Sequence, residues 1–517
     1  MKRLRWMSSQ APRRGGGWRR QAGRAAVLAV ALAAAVAPVA PSAGATPQAR
    51  AAYAITGATV ITAPGNTVEN ATVVIRDGLI EAVGSGVTAP PDARLIDGSG
   101  MTVFAGWIDG FSEVAIEPEA TETGEAPGRG GGRGGRGGGQ QALQMLELGA
   151  PGVNQQVRPS FDQADHINGE DEQIAGFRNA GFTAALVVPQ DGIYRGKSVL
   201  IALRQADPAD IVVREDVAQV VGFSSGGFGR GYPSSLMGVI SLIRQVLLDT
   251  QRQATWENSY SNDPTGIPRP DANPAYAALQ PLLRGEQPVI FDANNTRNAK
   301  RALAISQEFG LAAIIRGNGN EYEMVETLAS SSPGLIIPVE YPDAPTVSED
   351  ADANLDVSLS DLQRWEEAAG NAAALEAAGL AFAFTADGIE PADFAANVRK
   401  AIEAGLSEEA ALAAVTTVPA RLFGVAAIVG TLEPGKIANL VVATGPPFAE
   451  GTEVRHVFID GIDHQVEAPA AGRGGRGGTG EDGSADPRGA WSVTMGNGDF
   501  SQRATWRIAG GDVFSAR

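Results

Sequence analysis

The residues that could do chemistry are few. The chain has 517 residues, no cysteine, and three histidines, His166, His456 and His464. Without thiols there is no disulfide framework and no cysteine-bound metal. Three histidines spread over about 300 residues cannot supply the four imidazoles of a histidine-rich dinuclear centre. One serine lies in a nucleophile-like context, Gly222-Phe-Ser224-Ser-Gly226, after the apolar run Val217 to Phe223. A nucleophile elbow needs a helix to begin at the serine. Here a glycine-rich stretch, Gly226 to Gly231, follows, so the helix starts only near Pro233 and the spacing predicts a loop. Gly227, Gly229 and Gly231 lack the spacing and the acidic ribose partner of a dinucleotide loop. His166, in Gln163-Ala-Asp-His-Ile167, reads as a surface histidine beside acids, and Ser234 or Ser235 as the N-cap of a helix.

The elements that must position any site follow from pattern. Ile55 to Val60, Thr72 to Arg76 and Ile80 to Val83 are short β-branched runs, the last two joined at Asp77-Gly78, which suits a two-residue hairpin. From about residue 101 strands alternate with helices. The strands are Phe182 to Val188, Pro288 to Asp292, Leu311 to Arg316, Gly334 to Val339 and Leu380 to Thr385. The helices are Leu236 to Leu248, Thr296 to Phe309, Asp361 to Ala378, Pro391 to Ala404 and Ser407 to Val415. Such alternation over some 320 residues predicts a parallel α/β architecture, and a TIM-like (β/α)8 barrel fits the span. Strands return at Leu440 to Ala443 and Val454 to Ile459, with a type II turn at Glu433-Pro434-Gly435-Lys436. A composite β-sandwich built from both ends of the core, flanking the barrel, is the arrangement expected.

The first 45 residues read as an address. Eight basic residues and no acid precede the apolar run Ala25 to Ala37 and the small-residue site Ala43-Gly44-Ala45. That is the layout of a secretory signal, too short to span a bilayer, and it leaves Sec and twin-arginine routes open. Its removal would leave 33 basic and 59 acidic residues, a formal charge of −26. An exported, periplasmic or extracellular protein with no membrane attachment after cleavage is expected, with a surface that repels nucleic acid. The Arg-Gly-Gly stretches Gly128 to Gly139 and Gly472 to Gly480 therefore read as loop and linker rather than RNA-binding segments. The expected division is a signal over 1–45, sandwich strands over 46–104, barrel over 105–423, returning sandwich strands over 424–468, a Gly/Arg-rich linker over 469–489 and a partial β module over 490–517. That module rests on strands at Trp491 to Met495 and Ala504 to Ile508.

Two further signatures carry a family resemblance. Tyr53-Ala-Ile-Thr-Gly-Ala-Thr-Val60, Arg76-Asp-Gly-Leu-Ile-Glu-Ala-Val-Gly84 and Phe104-Ala-Gly-Trp-Ile-Asp109 resemble the opening of the amidohydrolase superfamily, in its imidazolonepropionase-like branch. Ala401 to Leu412, Pro419-Ala420 and Gly430-Thr-Leu-Glu-Pro-Gly-Lys-Ile-Ala-Asn-Leu-Val-Val442 resemble its close. The resemblance spans roughly residues 53–466 and implies a metal-dependent hydrolase barrel with a composite sandwich. It also implies a His-x-His pair after the first barrel strand, two later histidines and a final aspartate. Here the pair falls on Phe111 and Glu113, Asp292 stands at the next histidine, Gly317 at the following one, and Asp387 matches in kind.

The resemblance thus makes Glu113, Asp292 and Asp387 the candidate metal ligands and Asp387 the candidate catalytic residue, within a degenerate centre. Imidazole-bound zinc, which lowers the pKa of a bound water to about 7, loses its support. An oxygen-only set would favour Mg²⁺, Mn²⁺ or Ca²⁺ over Zn²⁺. The cofactor stays open between one such divalent metal and none. Two functions follow. One is a non-hydrolytic protein that binds a small molecule or peptide at the barrel mouth, or a subunit beside an active amidohydrolase relative. The other is a working hydrolase of carbon-nitrogen bonds through a carboxylate-bound metal.

Overall fold

Alternating β-branched residues between tight turns make the first sheet. β1 (Tyr53–Ala63), β2 (Asn66–Arg76) and β3 (Leu79–Gly84) form an antiparallel meander, β4 (Arg94–Asp97) pairs parallel to the start of β1, and β5 (Thr102–Ala105) parallel to its end. The β2–β3 turn places Asp77 and Gly78 at φ 52° and 84°, the positive values that its two-residue hairpin requires. The computed structural model describes residues 51–116, 154–224, 232–344 and 358–466, with the backbone of three strands beyond residue 488. The signal-like segment 1–45, both Arg-Gly-Gly stretches and the loop Gly226 to Gly231 lie outside the described residues.

The central region is α/β. β6 (Trp107–Ser112) pairs parallel with β7 (Phe182–Val187). The chain then runs back through β8 (Tyr194–Lys197), Ser198 and β9 (Val199–Ala202), with β10 (Val212–Arg214) on the outer edge of β9. β9 is antiparallel to β7, and β8 is antiparallel to β11 (Gln219–Gly222). From β11 the strands are parallel and sequential: β12 (Val289–Asp292), β13 (Ala313–Arg316), β14 (Gly334–Pro338) and β15 (Ala383–Thr385). Helices Leu236–Asn262, Thr296–Phe309 and Val325–Ser331 cross between them, each burying one apolar face, as Ala299, Ala302, Leu303 and Ile305 do for the second.

The expected eight-fold parallel barrel is therefore met only in part. Among the described residues the strands form a four-stranded and a six-stranded mixed sheet, with no closed hydrogen-bonded ring. The reason lies after β7. The stretch between the paired residues Val187 and Val199 is shorter than the dozen or more residues a parallel crossover needs, so the chain turns back as a hairpin. Where β6 and β15 lie side by side, side chains bridge them: Thr385 Oγ1 donates to the Phe111 carbonyl at 2.6 Å, and Asp109 Oδ1 accepts from the Ala386 amide at 2.9 Å.

The chain then returns to the first sheet. β16 (Leu440–Ala443) pairs antiparallel with β5, and β17 (Val454–Ile459) and β18 (Ile462–Gln465) complete an eight-stranded sheet assembled from both ends of the core. Gly435, at φ 90°, sits where the Pro434-Gly435 turn wants it. Trp107 joins the two regions, stacked on Phe104 and Phe448 and edge-on to Phe182. The helix expected over Asp361 to Ala378 is in fact Leu359–Glu367, a short 3₁₀ turn and Asn371–Ala377. Beyond residue 488, β19 (Gly489–Asn497), β20 (Phe500–Ile508) and β21 (Ser515–Ala516) form a separate three-stranded sheet, one strand more than the pattern predicts. Among the described residues no helix is long and apolar enough to cross a membrane.

Candidate functional site

The C-terminal ends of the parallel strands gather the chain's buried charges. β12 ends on Asp292 and β13 on Arg316, Glu113 follows β6 directly, and Asp387 lies two residues beyond β15. The antiparallel β8 adds Arg195 from the opposite chain direction. Each side chain follows an apolar run that buries its strand, so the fold holds the strand ends while the first residue past each run turns to the rim.

Two guanidinium groups organise the carboxylates. Arg195 Nη2 donates to Asp292 Oδ2 at 2.7 Å, and the two side chains are 8% and 19% exposed. Arg316 Nη2 bonds Asp387 Oδ2, while Arg316 Nη1 lies 3.7 Å from Asp292 Oδ1. The Arg316 guanidinium also lies over the Phe111 ring, 5.4 Å from its centroid, a cation–π contact that holds it from below. Gly222 faces Arg195, and a Cβ there would stand 2.8 Å from Nη2, so only glycine leaves the arginine its place. Arg195 Nε and Nη1 and Arg316 Nε are buried without a hydrogen-bond partner among the described residues.

The remaining acids respond to this setting. Glu113 is at the exposed rim, and its carboxyl is raised above the ordinary range by partial burial first and by the nearby Asp387 next, with both arginines pulling the other way. Asp109, fully buried, is pushed up to about 7 by desolvation, against the lowering effect of bonds from Ala386, Thr385 and Ser112. Its Oδ2 has no hydrogen-bond partner. Glu321 is buried behind the loop after β13. It accepts bonds from the Asn318 and Gly319 amides and from Asn371 Nδ2, and desolvation raises it despite them.

The structure thus brings Glu113, Asp292 and Asp387 into one electrostatic group and places two arginines among them. Gly317, aligned by resemblance with a lost histidine, serves a different end: a Cβ there would overlap the Glu321 carboxylate. The side chain that reaches the rim from β13 is its neighbour Arg316. Spacing singled out neither Arg316 nor Arg195. The available signal was a single basic residue at the end or within an otherwise buried strand run, Ile314-Ile315-Arg316 and Ile193-Tyr194-Arg195.

As placed, the donor set does not suit the divalent metal that the resemblance implies. Asp292 meets guanidinium nitrogens on both its oxygens and Asp387 on one, which leaves these carboxylates facing cations that already balance them. Among the described residues no group of three or more His, Cys, Asp or Glu side chains is disposed to hold a metal ion. The histidines lie elsewhere. His166 stacks on Phe161, His456 Nδ1 pairs with Asp463 at 2.9 Å across β17 and β18, and His464 is also on β18. Ser224 is exposed past the end of β11, with neither β-sheet histidine as its base.

A cavity of about 930 Å³ opens at the opposite ends of the same strands, among Pro288, Leu303, Ala313, Ser331, Gly334 and Arg421. None of the charged residues described above lines it. Room and chemistry lie apart in this molecule, and the charges mark the site.

Comparison with known proteins places the fold. An amidohydrolase from Thermotoga maritima MSB8 is 21% identical, with a TM-score of 0.63 over 80% of this chain and 99% of that one. Another amidohydrolase (14% identity, 81% and 100% of the two chains, TM-score 0.48) and a prolidase bound to N-methylphosphonate-L-proline (15%, 81% and 100%, 0.46) are more distant. No curated protein matches the sequence. Residues 340–462 match the Amidohydrolase family, a segment that holds Asp387 and the returning strands and stops short of Glu113, Arg195, Asp292 and Arg316. The chain therefore carries an amidohydrolase-family domain over residues 340–462, on a fold shared with an amidohydrolase.

Proposed function

We propose that this protein is an exported member of the imidazolonepropionase-like branch of the amidohydrolases in which an arginine–carboxylate network stands where relatives hold their catalytic metal. It works as a non-hydrolytic protein, binding a small molecule or peptide at the strand-end rim or accompanying an active relative as a subunit. The observation that carries this reading is Arg316, bonded to Asp387 and 3.7 Å from Asp292. A metal-activated water needs ligands free to donate to the ion and an open coordination position. Here the carboxylates are engaged by cations of the chain itself. The strongly acidic composition supports a soluble, exported protein that does not bind nucleic acid.

The test is metal content and turnover measured together on the purified protein and on Asp387→Asn. The expected result is well under one equivalent of divalent metal in both, and no hydrolysis of a panel of dipeptides and N-acyl amino acids. About one equivalent of metal with amide hydrolysis, both lost in Asp387→Asn, would replace this reading with that of a carboxylate-metal hydrolase.

A further inference from the structure

We infer that Arg316 is the resident cation of the strand-end site: its guanidinium fills the place of a divalent ion, and Glu113, Asp292 and Asp387 form a latent hard-cation site that opens when residue 316 loses its charge. The inference rests on the proposed replacement of the metal centre and deepens it, because it names one side chain as the cause of metal exclusion.

The argument begins with position. Arg316 is 16% exposed and touches the group on three sides, with Asp387 on Nη2, Asp292 near Nη1 and the Phe111 ring beneath. Its Nε is buried without a partner, so no second anchor waits for it elsewhere among the described residues. A metal entering here would have to displace a guanidinium that is already desolvated and ion-paired.

Charge follows. Glu113, Asp292 and Asp387 are three carboxylates against the two guanidiniums of Arg195 and Arg316, so the group carries one net negative charge. Without Arg316 it carries two, with only Arg195 left to balance three acids. A divalent ion is the compact species that restores neutrality in that space, and carboxylate oxygens favour Mn²⁺, Ca²⁺ or Mg²⁺.

Arg195 supplies an independent observation that the place is built for internal ion pairing. More than nine-tenths of its side chain is buried, it is directed at Asp292, and two of its three nitrogens have no partner. It holds Asp292 Oδ2 and leaves Oδ1 turned toward Arg316. Removing Arg316 thus exposes one Asp292 oxygen and one Asp387 oxygen together, with Glu113 at the rim, and leaves Arg195 to hold Asp292 in place. Glu113, already raised by partial burial and by Asp387, is the acid whose ionised form would gain from a second cation.

The experiment titrates Mn²⁺ into the full-length protein, Arg316→Gln and the double variant Arg316→Gln/Asp387→Asn, followed by electron paramagnetic resonance of free Mn²⁺ and by calorimetry. The expected result is no saturable site in the unaltered protein, one site in Arg316→Gln at least tenfold tighter than any binding by the unaltered protein, and its loss in the double variant. Arg316→Lys keeps a positive charge and should stay without the site. A folded Arg316→Gln that binds Mn²⁺ no better than the unaltered protein would overturn the inference. So would saturable Mn²⁺ binding by the unaltered protein that Asp387→Asn abolishes. Should Arg316→Gln fold only poorly, refolding with and without Mn²⁺, read by circular dichroism, replaces the titration: recovery with Mn²⁺ supports the latent site and failure to recover overturns it. The two proposals fail separately. Amide hydrolysis by the unaltered protein would sink the functional reading, whereas an inert, metal-free protein whose Arg316→Gln form gains nothing would sink this inference alone.

Discussion

The two ends of β12, β13 and β14 differ more than any other pair of regions in the molecule. At their C-terminal ends Asp292 and Arg316 sit among Arg195, Asp387 and Glu113, largely buried and mutually paired, with little open space. At their N-terminal ends Pro288, Ala313 and Gly334 border a cavity of about 930 Å³ whose lining is mostly small or neutral, with one arginine, Arg421. A search for room finds the second end and a search for charge finds the first. Burying a charge is costly, so a chain keeps several of them in one place only where each is compensated. An open hollow between helix ends and strand starts carries no such cost. The difference teaches that, on this fold, buried and balanced charge locates the specialised end, while empty volume measures only how loosely the elements meet.

The most severe way to break that comparison is to remove one charge. Asp292→Ala leaves Arg195, 8% exposed, without its partner, and breaking a buried pair from one side typically costs about 3–5 kcal/mol. Equilibrium denaturation should show a loss of that order. A loss below about 1 kcal/mol would mean that solvent or a shifted neighbour compensates Arg195, and the contrast between the ends would collapse.

A second test uses protons. Asp109 titrates near 7 in the folded protein because burial disfavours its charge, whereas an unfolded carboxyl titrates near 3.8. Between these values the folded chain holds a proton that the unfolded chain has released, so the stabilising contribution is complete below about pH 4 and is lost as pH rises through 7. His464 acts in the opposite sense. Burial first, then Arg178, lowers it to about 4, so its contribution is present above the ordinary 6.5 and is lost as pH falls through 4. The two slopes oppose one another in the unaltered protein. Asp109→Asn keeps an acceptor for the Ala386 amide and removes one slope. Its stability relative to the unaltered protein should therefore climb by roughly 1.4 kcal/mol per pH unit between pH 4 and 7 and level off above. Parallel pH profiles for the two proteins would place Asp109 in contact with water.

Much of the scaffold was legible in the chain. Apolar runs followed by helical faces located β7, β12, β13, β14 and β15 to within a few residues, and Asp77-Gly78 and Pro434-Gly435 announced their turns. The strand from Tyr194 to Ala202 was missed because Gly196, Lys197 and Ser198 interrupt its apolar pattern, and its antiparallel direction is a consequence of hairpin length that periodicity does not encode. The carboxylates of the site were legible because a resemblance pointed to their positions. The arginines were not, since an ion pair depends on partners distant along the chain: Arg195 and Asp292 are 97 residues apart, and Arg316 and Asp387 are 71. Residue type at a strand end tells which charges reach the rim, and only the folded arrangement tells which of them cancel.

The smallest effect belongs at the other end. Gln307 is exposed on the helix Thr296–Phe309 and lines the cavity at the N-terminal strand ends. Gln307→Ala removes a solvated side chain from a surface helix position, where alanine has a slightly better intrinsic propensity. Surface changes away from caps, packed cores and buried polar networks fall within about 0.5 kcal/mol, so the denaturation midpoint should hardly move and the pH profile should keep its shape. The value of the measurement lies in its contrast with Asp292→Ala, at the far end of a strand that borders the same cavity. A near-silent Gln307→Ala beside a costly Asp292→Ala would show that the interaction energy of these strands is concentrated where the charges are. A cost above about 1 kcal/mol at Gln307 would instead reveal that the cavity wall is an organised surface, and volume would regain its standing as a guide to this molecule.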